Sequence, residues 1–116
     1  MNEKTAQDNK VLVDFWSEVL DLSEEDREEL GKCSAEDWKE LAPSEKLFAA
    51  AASLGSRKKV LDYGCGNGWA GIIAANSGCP DVTAVDPAPG AVRTAALYAK
   101  VFGAGDRVHA ECVSGD

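Results

Sequence analysis

Three glycines at alternate positions follow an aspartate in the middle of the sequence, and they are its clearest chemical signal. The stretch contains Asp62, Tyr63, Gly64, Cys65, Gly66, Asn67, Gly68 and Trp69. Apolar residues precede it and a helical pattern follows it, so it predicts a buried strand, a tight glycine turn and a helix N-terminus. Such a turn exposes backbone N–H groups and the positive end of a helix dipole, which bind the polar part of a ligand.

A second carboxylate, Asp86, ends the next apolar run, 18 residues after Gly68. The carboxyl ends of parallel strands lie at one edge of a sheet, which places Asp86 beside the glycine turn. There a carboxylate can accept hydrogen bonds from both hydroxyls of a ribose. Because Pro87 follows, helix capping is the simpler alternative. The turn and the carboxylate together predict a nucleoside ligand.

Two classes of nucleoside cofactor compete for this pattern. Residues 66–71 spell G-x-G-x-x-G, the dinucleotide pattern, with Asp86 20 residues after Gly66. In that case Asp62 would lie beside a doubly negative pyrophosphate, and residues 60–92 contain no Lys or Arg to offset it. S-adenosylmethionine has no phosphate but carries an ammonium, a carboxylate and a sulfonium. Asp62 is then a favourable counter-charge and the turn's N–H groups bind the carboxylate, so the charges favour this ligand.

The stretch from Val60 to Gly68 resembles the first motif of the class I S-adenosylmethionine-dependent methyltransferases, in which an acid precedes G-x-G-x-G. The end of the second strand, at Asp86 and Pro87, resembles their ribose contact. Residues 114–116 resemble their third strand end, where an acid contacts the adenine amino group. The resemblance covers about residues 58–116. It implies that the cofactor contacts Asp62, Gly64, Cys65, Gly66, Asn67, Gly68, Trp69, Asp86, Pro87 and Asp116.

Alternating strands and helices position these residues in the sequence. Strands are predicted over 59–63, 82–86 and 108–113, and helices over 69–76 and, after a break at residues 87–90, up to Phe102. The helix after the break presents one face, formed by Val92, Ala95, Ala96, Ala99 and Phe102. This order predicts an α/β fold with a Rossmann-like parallel sheet of three strands and right-handed helical crossovers.

The family resemblance implies a fold of seven strands in the order 3-2-1-4-5-7-6, of which this chain carries three. The first strand would then have one bare, apolar edge, which is an aggregation liability. We therefore expect the N-terminal, cofactor-binding part of a longer methyltransferase. Self-association through the exposed edge of the first strand is the alternative.

The sequence before the first strand predicts short helices. We divide the chain into an N-terminal helical segment, residues 1–54, which would act as a cap or lid, and a partial cofactor-binding domain, residues 55–116. Ser23 and Ser34 carry helix-capping patterns, and Pro43 is expected in a first helical turn. An amphipathic helix from Asn9 is predicted by the apolar stripe Val11, Leu12, Phe15, Trp16, Val19 and Leu20.

Composition and charge exclude several function classes. The 116 residues are 45% hydrophobic and carry a net charge of −8, which suits one domain or part of one and disfavours a nucleic-acid or anionic-membrane partner. Four cysteines without a C-x-x-C pair and a single histidine, His109, predict no metal site. The polar N-terminus is not expected to act as a signal peptide, and no apolar run in the sequence is long enough to predict a membrane span. We expect a cytoplasmic protein with reduced thiols.

The sequence thus predicts S-adenosylmethionine binding as part of a methyltransferase that acts on a small-molecule acceptor. Cys65 is explained better as a small residue between glycines than as a nucleophile, because no basic residue lies nearby. His109 is expected to face outward from an edge strand. No residue is a convincing general base, so the catalytic residues stay unassigned and this piece alone is expected to be inactive. The alternatives are a non-catalytic nucleoside-binding or assembly module and an NAD(P)-binding oxidoreductase fragment.

Overall fold

The computed structural model describes residues 22–113 of the chain. The amphipathic helix predicted from Asn9 and the predicted adenine contact at Asp116 both lie outside the described residues. Two short 3₁₀ helices span Ala35–Glu40 and Leu54–Ser56. The remaining elements are, in chain order, α1 (Glu24–Gly31), α2 (Glu45–Ser53), β1 (Val60–Tyr63), α3 (Trp69–Asn76), β2 (Val82–Asp86), α4 (Pro89–Val101) and β3 (Val108–Cys112).

The three strands form one parallel sheet in the order β1-β2-β3. Val60 lies opposite Val82, which in turn lies opposite Val108, so the carboxyl ends of the strands meet at one edge. The predicted α/β, Rossmann-like arrangement of three parallel strands is confirmed. Among residues 22–113, β1 pairs only with β2 and its other edge is bare.

The two crossover helices pack against one face of this sheet. A Cβ built on Gly71 of α3 would lie 2.9 Å from the Val82 side chain, so only a glycine allows the helix to approach β2 this closely. Right-handed crossovers in this strand order place α4 on the same face. The core between helices and sheet is rich in alanine, with Ile72, Ala74, Ala75, Val82, Ala84, Ala95 and Ala99 buried.

The expectation that the first strand is buried is wrong for two of its side chains. Leu61 is 65% exposed and Tyr63 is 72% exposed. Side chains alternate across a strand, so these two point away from the face that α3 covers. The apolar sequence of β1 predicts a strand correctly, but burial requires a covering layer that neither crossover helix provides.

Local capping sets the helix ends. Ser23 and Ser34 are N-caps as predicted, and Ser34 shares a reciprocal capping box with Asp37. Pro43 is not in a first helical turn, because Ser44 is the N-cap of α2 and accepts a hydrogen bond from the Leu47 N–H. The break predicted over residues 87–90 is shorter than expected, since Pro89 is already the first residue of α4 and a proline is tolerated there.

The buried face of α4 also differs from the prediction in one residue. Ala96 is exposed, whereas Ala91, Thr94, Ala95 and Ala99 are buried. Gly103 ends this helix region with a φ of +74°. His109 of β3 is exposed, as expected for an outward-facing side chain.

Arg107 joins the C-terminal ends of two helices. Its guanidinium donates hydrogen bonds to the Ala75 carbonyl at 2.6 Å, to Asn76 Oδ1 at 2.7 Å and to the Gly103 carbonyl at 2.6 Å. The last carbonyls of a helix have no partner within the helix and carry partial negative charge, so a cation placed there satisfies and stabilises them.

Arg107→Ala is expected to lower the free energy of unfolding by about 2 kcal/mol, because it removes the charge-assisted hydrogen bonds that join the ends of α3 and α4. Urea unfolding followed by circular dichroism at 222 nm measures the change. Arg57→Ala is the matched control, since Arg57 is exposed before β1 and is expected to change stability by less than about 0.5 kcal/mol. Equal effects of the two substitutions would contradict the role given to Arg107.

Candidate cofactor site

The glycine turn between β1 and α3 alternates left-handed backbone with ordinary backbone. Gly64, Gly66 and Gly68 have φ values of +73°, +56° and +79°. Residues with side chains are strained at such angles, which explains why glycine occupies every second position. A Cβ on Gly64 or Gly66 would meet no atom within 4 Å, so this part of the turn borders open space. A Cβ on Gly68 would instead come within 3.1 Å of Ala95 in α4.

Backbone hydrogen bonds fasten the turn to the neighbouring strand. The N–H groups of Gly64 and Cys65 both donate to the Val85 carbonyl, at 2.8 and 3.0 Å. Gly68 N–H donates to the Cys65 carbonyl at 2.9 Å. The turn is therefore held rigidly at the carboxyl end of β2, where Asp86 lies.

Asp86 holds the glycine turn and the start of α4 together. Its Oδ2 accepts a hydrogen bond from the Gly66 N–H at 3.1 Å, and its Oδ1 accepts one from the Ala88 N–H at 2.9 Å. The residue is only 9% exposed. Ala88 is the N-cap position of α4, so Asp86 supports the helix start from two residues upstream. Asp86 therefore lies beside the glycine turn, as predicted, and it also supports the start of a helix, which was the alternative role considered for it.

Asp62 carries a buried oxygen without a partner. Its Oδ2 is shielded from solvent and receives no hydrogen bond. Burial raises the pKa of Asp62 above its ordinary value, the backbone N–H of Gly71 opposes this rise, and the nearby charge of Asp86 adds to it. An unpartnered buried carboxylate oxygen costs free energy, and a cationic group from a ligand would remove that cost.

Cys65 lies in the glycine turn and is buried. Burial, together with the charges of Asp62 and Asp86, raises the pKa of its thiol to about 12. Its Sγ lies 3.6 Å from the Gly66 carbonyl, to which it donates. The thiol therefore stays protonated at neutral pH and does not supply a thiolate nucleophile.

Thiol labelling tests this description of Cys65. At pH 7.5 iodoacetamide is expected to modify the exposed Cys33 and Cys112 and to leave the buried Cys65 and Cys79 unmodified. Mass spectrometry of proteolytic fragments measures the labelling, and urea-denatured protein, in which all four thiols react, is the control. Labelling of native Cys65 as fast as Cys33 would show that its thiol is neither buried nor protonated.

The remaining predicted site residues lie at the same edge of the sheet. Asn67 Oδ1 accepts a hydrogen bond from the Trp69 N–H at 3.1 Å, which closes a turn at the start of α3. Asn67, Trp69 and Pro87 are each half-buried. The structure thus brings together all the predicted site residues except Asp116, which lies outside residues 22–113.

Sequence reasoning missed two contacts in this region. Ala95 packs beneath Gly68, and the Val113 N–H donates to the Asp86 carbonyl at 3.2 Å. Nothing in the sequence distinguishes Ala95 from the other alanines of α4. In the sequence, Gly71 is the last glycine of the formal dinucleotide pattern. In the structure, the close packing of α3 against Val82 is enough to explain why a glycine occupies this position.

Four basic residues lie at the opposite edge of the sheet. Arg57, Lys58 and Lys59 precede β1, and Arg107 precedes β3. Arg93, in the second turn of α4, is the first basic residue after the glycine turn and is exposed. The recorded partners of the Asp86 carboxylate are both neutral backbone N–H groups. The two carboxylates of the site, Asp62 and Asp86, thus lie at the edge away from these four residues.

Within residues 22–113, no cluster of three His, Cys, Asp or Glu side chains is arranged to hold a metal ion. None of the helices described there is long and apolar enough to cross a membrane.

The sequence model of a family described as "Methyltransferase domain" matches residues 34–112. The chain belongs to this methyltransferase family. The match contains the glycine turn, Asp62 and Asp86, so the predicted membership of the class I S-adenosylmethionine-dependent methyltransferases is confirmed. No curated protein sequence matches the chain.

Solved structures of other proteins share the fold of this methyltransferase domain. Protein arginine methyltransferase 10 of Arabidopsis thaliana is 28% identical with a TM-score of 0.50, over 60% of this chain and 20% of that one. The O-methyltransferase of Bacillus cereus, solved in complex with SAH, is 18% identical with a TM-score of 0.51, over 84% of this chain and 47% of that one. YjhP of E. coli is 24% identical with a TM-score of 0.51, over 63% of this chain and 30% of that one. The chain spans less than half the length of each of these proteins.

Proposed function

We propose that this chain binds S-adenosylmethionine at the glycine-turn edge of its sheet, as the cofactor-binding part of a methyltransferase. The observation that carries the proposal is the buried, unpartnered Oδ2 of Asp62 beside the glycine turn. A positively charged group supplied by a ligand would compensate this oxygen, and the ammonium of S-adenosylmethionine is such a group. A phosphate-bearing ligand would instead add negative charge.

Each residue of the site has a role in this proposal. Asp62 pairs with the ammonium, and N–H groups between Gly66 and Trp69 bind the carboxylate at the N-terminus of α3. Asp86 accepts the ribose hydroxyls with the lone pairs that its two backbone hydrogen bonds leave free. Cofactor contacts are also assigned to Gly64, Cys65, Asn67, Gly68, Pro87 and Asp116.

The bound cofactor would supply an electrophilic methyl group on a sulfonium. The residues of this chain would hold that group in a fixed orientation and exclude water around it, which lowers the barrier chiefly through proximity and orientation. No general base is assigned, because both carboxylates of the described site, Asp62 and Asp86, are assigned to binding in this proposal.

The dinucleotide alternative has weaker support. Its formal pattern depends on Gly71, which the packing of α3 against Val82 already explains. A pyrophosphate at the turn would meet the carboxylate of Asp62, without a basic residue between positions 60 and 92. Repulsion between like charges at such short range costs several kcal/mol.

We propose a small molecule as the methyl acceptor, because a net charge of −8 disfavours a nucleic acid. The likeness to a protein arginine methyltransferase makes a protein acceptor the second candidate. The four free cysteines support a cytoplasmic location. Two further proposals concern the organisation of the chain. One is its division into a helical cap, residues 1–54, and a cofactor-binding part, residues 55–116. The other is self-association through the bare edge of β1.

Titration calorimetry with S-adenosylhomocysteine, NAD and adenosine tests the proposed function. S-adenosylhomocysteine is expected to bind, NAD to give no heat of binding, and adenosine to bind more weakly because it lacks the amino-acid end that Asp62 and the turn recognise. Heteronuclear NMR of the labelled chain measures dissociation constants too weak for calorimetry. Tighter binding of NAD than of S-adenosylhomocysteine would overturn the proposal.

A further inference from the structure

We infer that a cavity in the helical part of the chain, separate from the glycine turn, binds a small organic cation with a flat apolar body. The cavity lies between the 3₁₀ helix Ala35–Glu40 and the first turn of α2, and its volume is about 290 Å³. Ligand cavities usually measure roughly 300–1,000 Å³, so this one suits a single ring with a short substituent. The lining residues are Lys39, Glu40, Ala42, Ser44, Glu45 and Phe48.

An aromatic pair supplies the apolar wall of this cavity. Phe48 lines it, and the Phe48 ring is stacked on Trp38 with centroids 6.0 Å apart and an angle of 26° between the ring planes. The Lys39 ammonium lies 5.8 Å from the centroid of the Trp38 ring, a distance at which an aromatic face attracts a cation. The aromatic pair therefore already attracts one ammonium group of the chain itself.

The polar side of the cavity favours a positive ligand. Glu40 and Glu45 both line it, and within residues 22–113 no ion pair is recorded for either carboxylate. The basic lining residue, Lys39, is paired with Glu36, whose Oε2 lies 3.5 Å from its Nζ. An anion would be repelled by the two carboxylates, whereas a cation would be attracted. Because both carboxylates are exposed, water weakens this attraction to a few-fold in affinity.

The direction of α2 places the cavity on the side of the proposed cofactor site. The helices α2 and α3 pack against each other, and their C-terminal ends meet: a Cβ on Gly78, after α3, would lie 2.9 Å from the carbonyl oxygen of Gly55, after α2. Both helices therefore begin toward the opposite edge of the sheet, where the glycine turn precedes Trp69. We assign the cavity to the cationic end of the methyl acceptor, a role that rests on the proposed function.

The test follows the amide NMR signals of the isotope-labelled chain during titration with three molecules that share a ring and differ in charge: benzylamine, benzyl alcohol and benzoate. Benzylamine is expected to shift the signals of residues 38–48 with a millimolar dissociation constant. Benzyl alcohol is expected to bind there about fivefold more weakly, because it lacks the charge that the carboxylates attract, and benzoate is expected not to bind. Replacing both carboxylates, as Glu40→Gln with Glu45→Gln, is expected to lower the affinity for benzylamine to that for benzyl alcohol.

Glu24→Gln with Glu25→Gln is the control, because these acids lie in the first turn of α1, do not line the cavity and change the net charge equally. This variant is expected to bind benzylamine as the unaltered chain does. Binding of benzoate as tight as that of benzylamine, or the same loss in the control as in the cavity variant, would overturn the inference.

A second titration separates this cavity from the cofactor site, where Asp62 could also attract an amine. Saturating S-adenosylhomocysteine is expected to leave the benzylamine shifts of residues 38–48 in place. Competition between the two ligands would put the amine in the cofactor site and overturn the inference while leaving the proposed function intact. Binding of benzylamine at residues 38–48 by a chain that does not bind S-adenosylhomocysteine would overturn the proposed function and the acceptor role of the cavity.

Discussion

Asp86→Ala is expected to abolish measurable binding of S-adenosylmethionine and to lower the free energy of unfolding by about 2–3 kcal/mol. The carboxylate accepts hydrogen bonds from Gly66 and Ala88, and it is 9% exposed. Its removal leaves both N–H groups without an acceptor and frees the glycine turn from the end of β2. The predicted ribose contact disappears in the same variant.

A second substitution separates the two roles of Asp86. Asp86→Asn keeps one oxygen, so it can satisfy one of the two N–H groups and is expected to lose about half as much stability as Asp86→Ala. It places an amide group at the other position, where its N–H would face the Gly66 or Ala88 N–H. We therefore expect binding to fall nearly as far as in Asp86→Ala, although the fold is better preserved.

Urea unfolding and ligand titration of both variants measure these effects. Asp81→Ala is the control, since Asp81 precedes the same strand and no side-chain hydrogen bond is recorded for it among residues 22–113. It is expected to change stability by less than about 0.5 kcal/mol and to leave binding unchanged. If Asp86→Ala were as stable as this control, the carboxylate would not be holding the turn.

The sequence predicts the elements around the site well because their ends are set by local chemistry. The helix over Trp69–Asn76 and the strand over Val82–Asp86 have the predicted bounds. Glycines with left-handed backbone, a proline at the first position of α4 and acids at strand ends mark each boundary within a few residues. These signals act over one turn of chain, so one sequence is enough to recognise them.

Features that depend on distant parts of the chain were not predictable in the same way. Arg107 satisfies the end of a helix that lies about 30 residues earlier, and no spacing rule connects the two. The exposure of Leu61 and Tyr63 depends on which face of the sheet the crossover helices cover. The unpartnered oxygen of Asp62 likewise emerges only when α3, with Gly71, closes over it. The sequence placed a carboxylate there, and only the fold shows that it lacks a partner.

Asp62→Asn is expected to change ligand binding and stability in opposite directions. Binding of S-adenosylmethionine should weaken by about thirtyfold or more, because the ligand ammonium loses a charged, desolvated partner. The free energy of unfolding of the ligand-free chain at pH 7 should rise by about 0.5–1 kcal/mol, because a neutral amide costs less to bury than an unpaired carboxylate. A group that is selected for binding at the expense of stability has this pair of effects.

The pH dependence follows from the raised pKa of Asp62. The folded chain binds this proton more strongly than the unfolded chain does, so the ionised carboxylate costs stability above the raised pKa. That cost disappears as the pH falls through it. The stability advantage of Asp62→Asn should therefore shrink as the solution is acidified from pH 7. Ligand binding by the unaltered chain should weaken over the same range, since pairing with an ammonium requires the ionised form, and binding by Asp62→Asn should not.

Urea unfolding and ligand titration at a series of pH values distinguish this prediction from a purely structural role for Asp62. Asp81→Asn removes the same charge from the opposite edge of the sheet, so it controls for the net charge of −8. If Asp62 only positioned the backbone of β1, Asp62→Asn would lose stability and binding together, and neither loss would depend on pH. A gain in stability with a pH-dependent loss of binding requires a buried, unpaired charge that a cationic ligand neutralises, which is the result that the proposed binding of S-adenosylmethionine predicts.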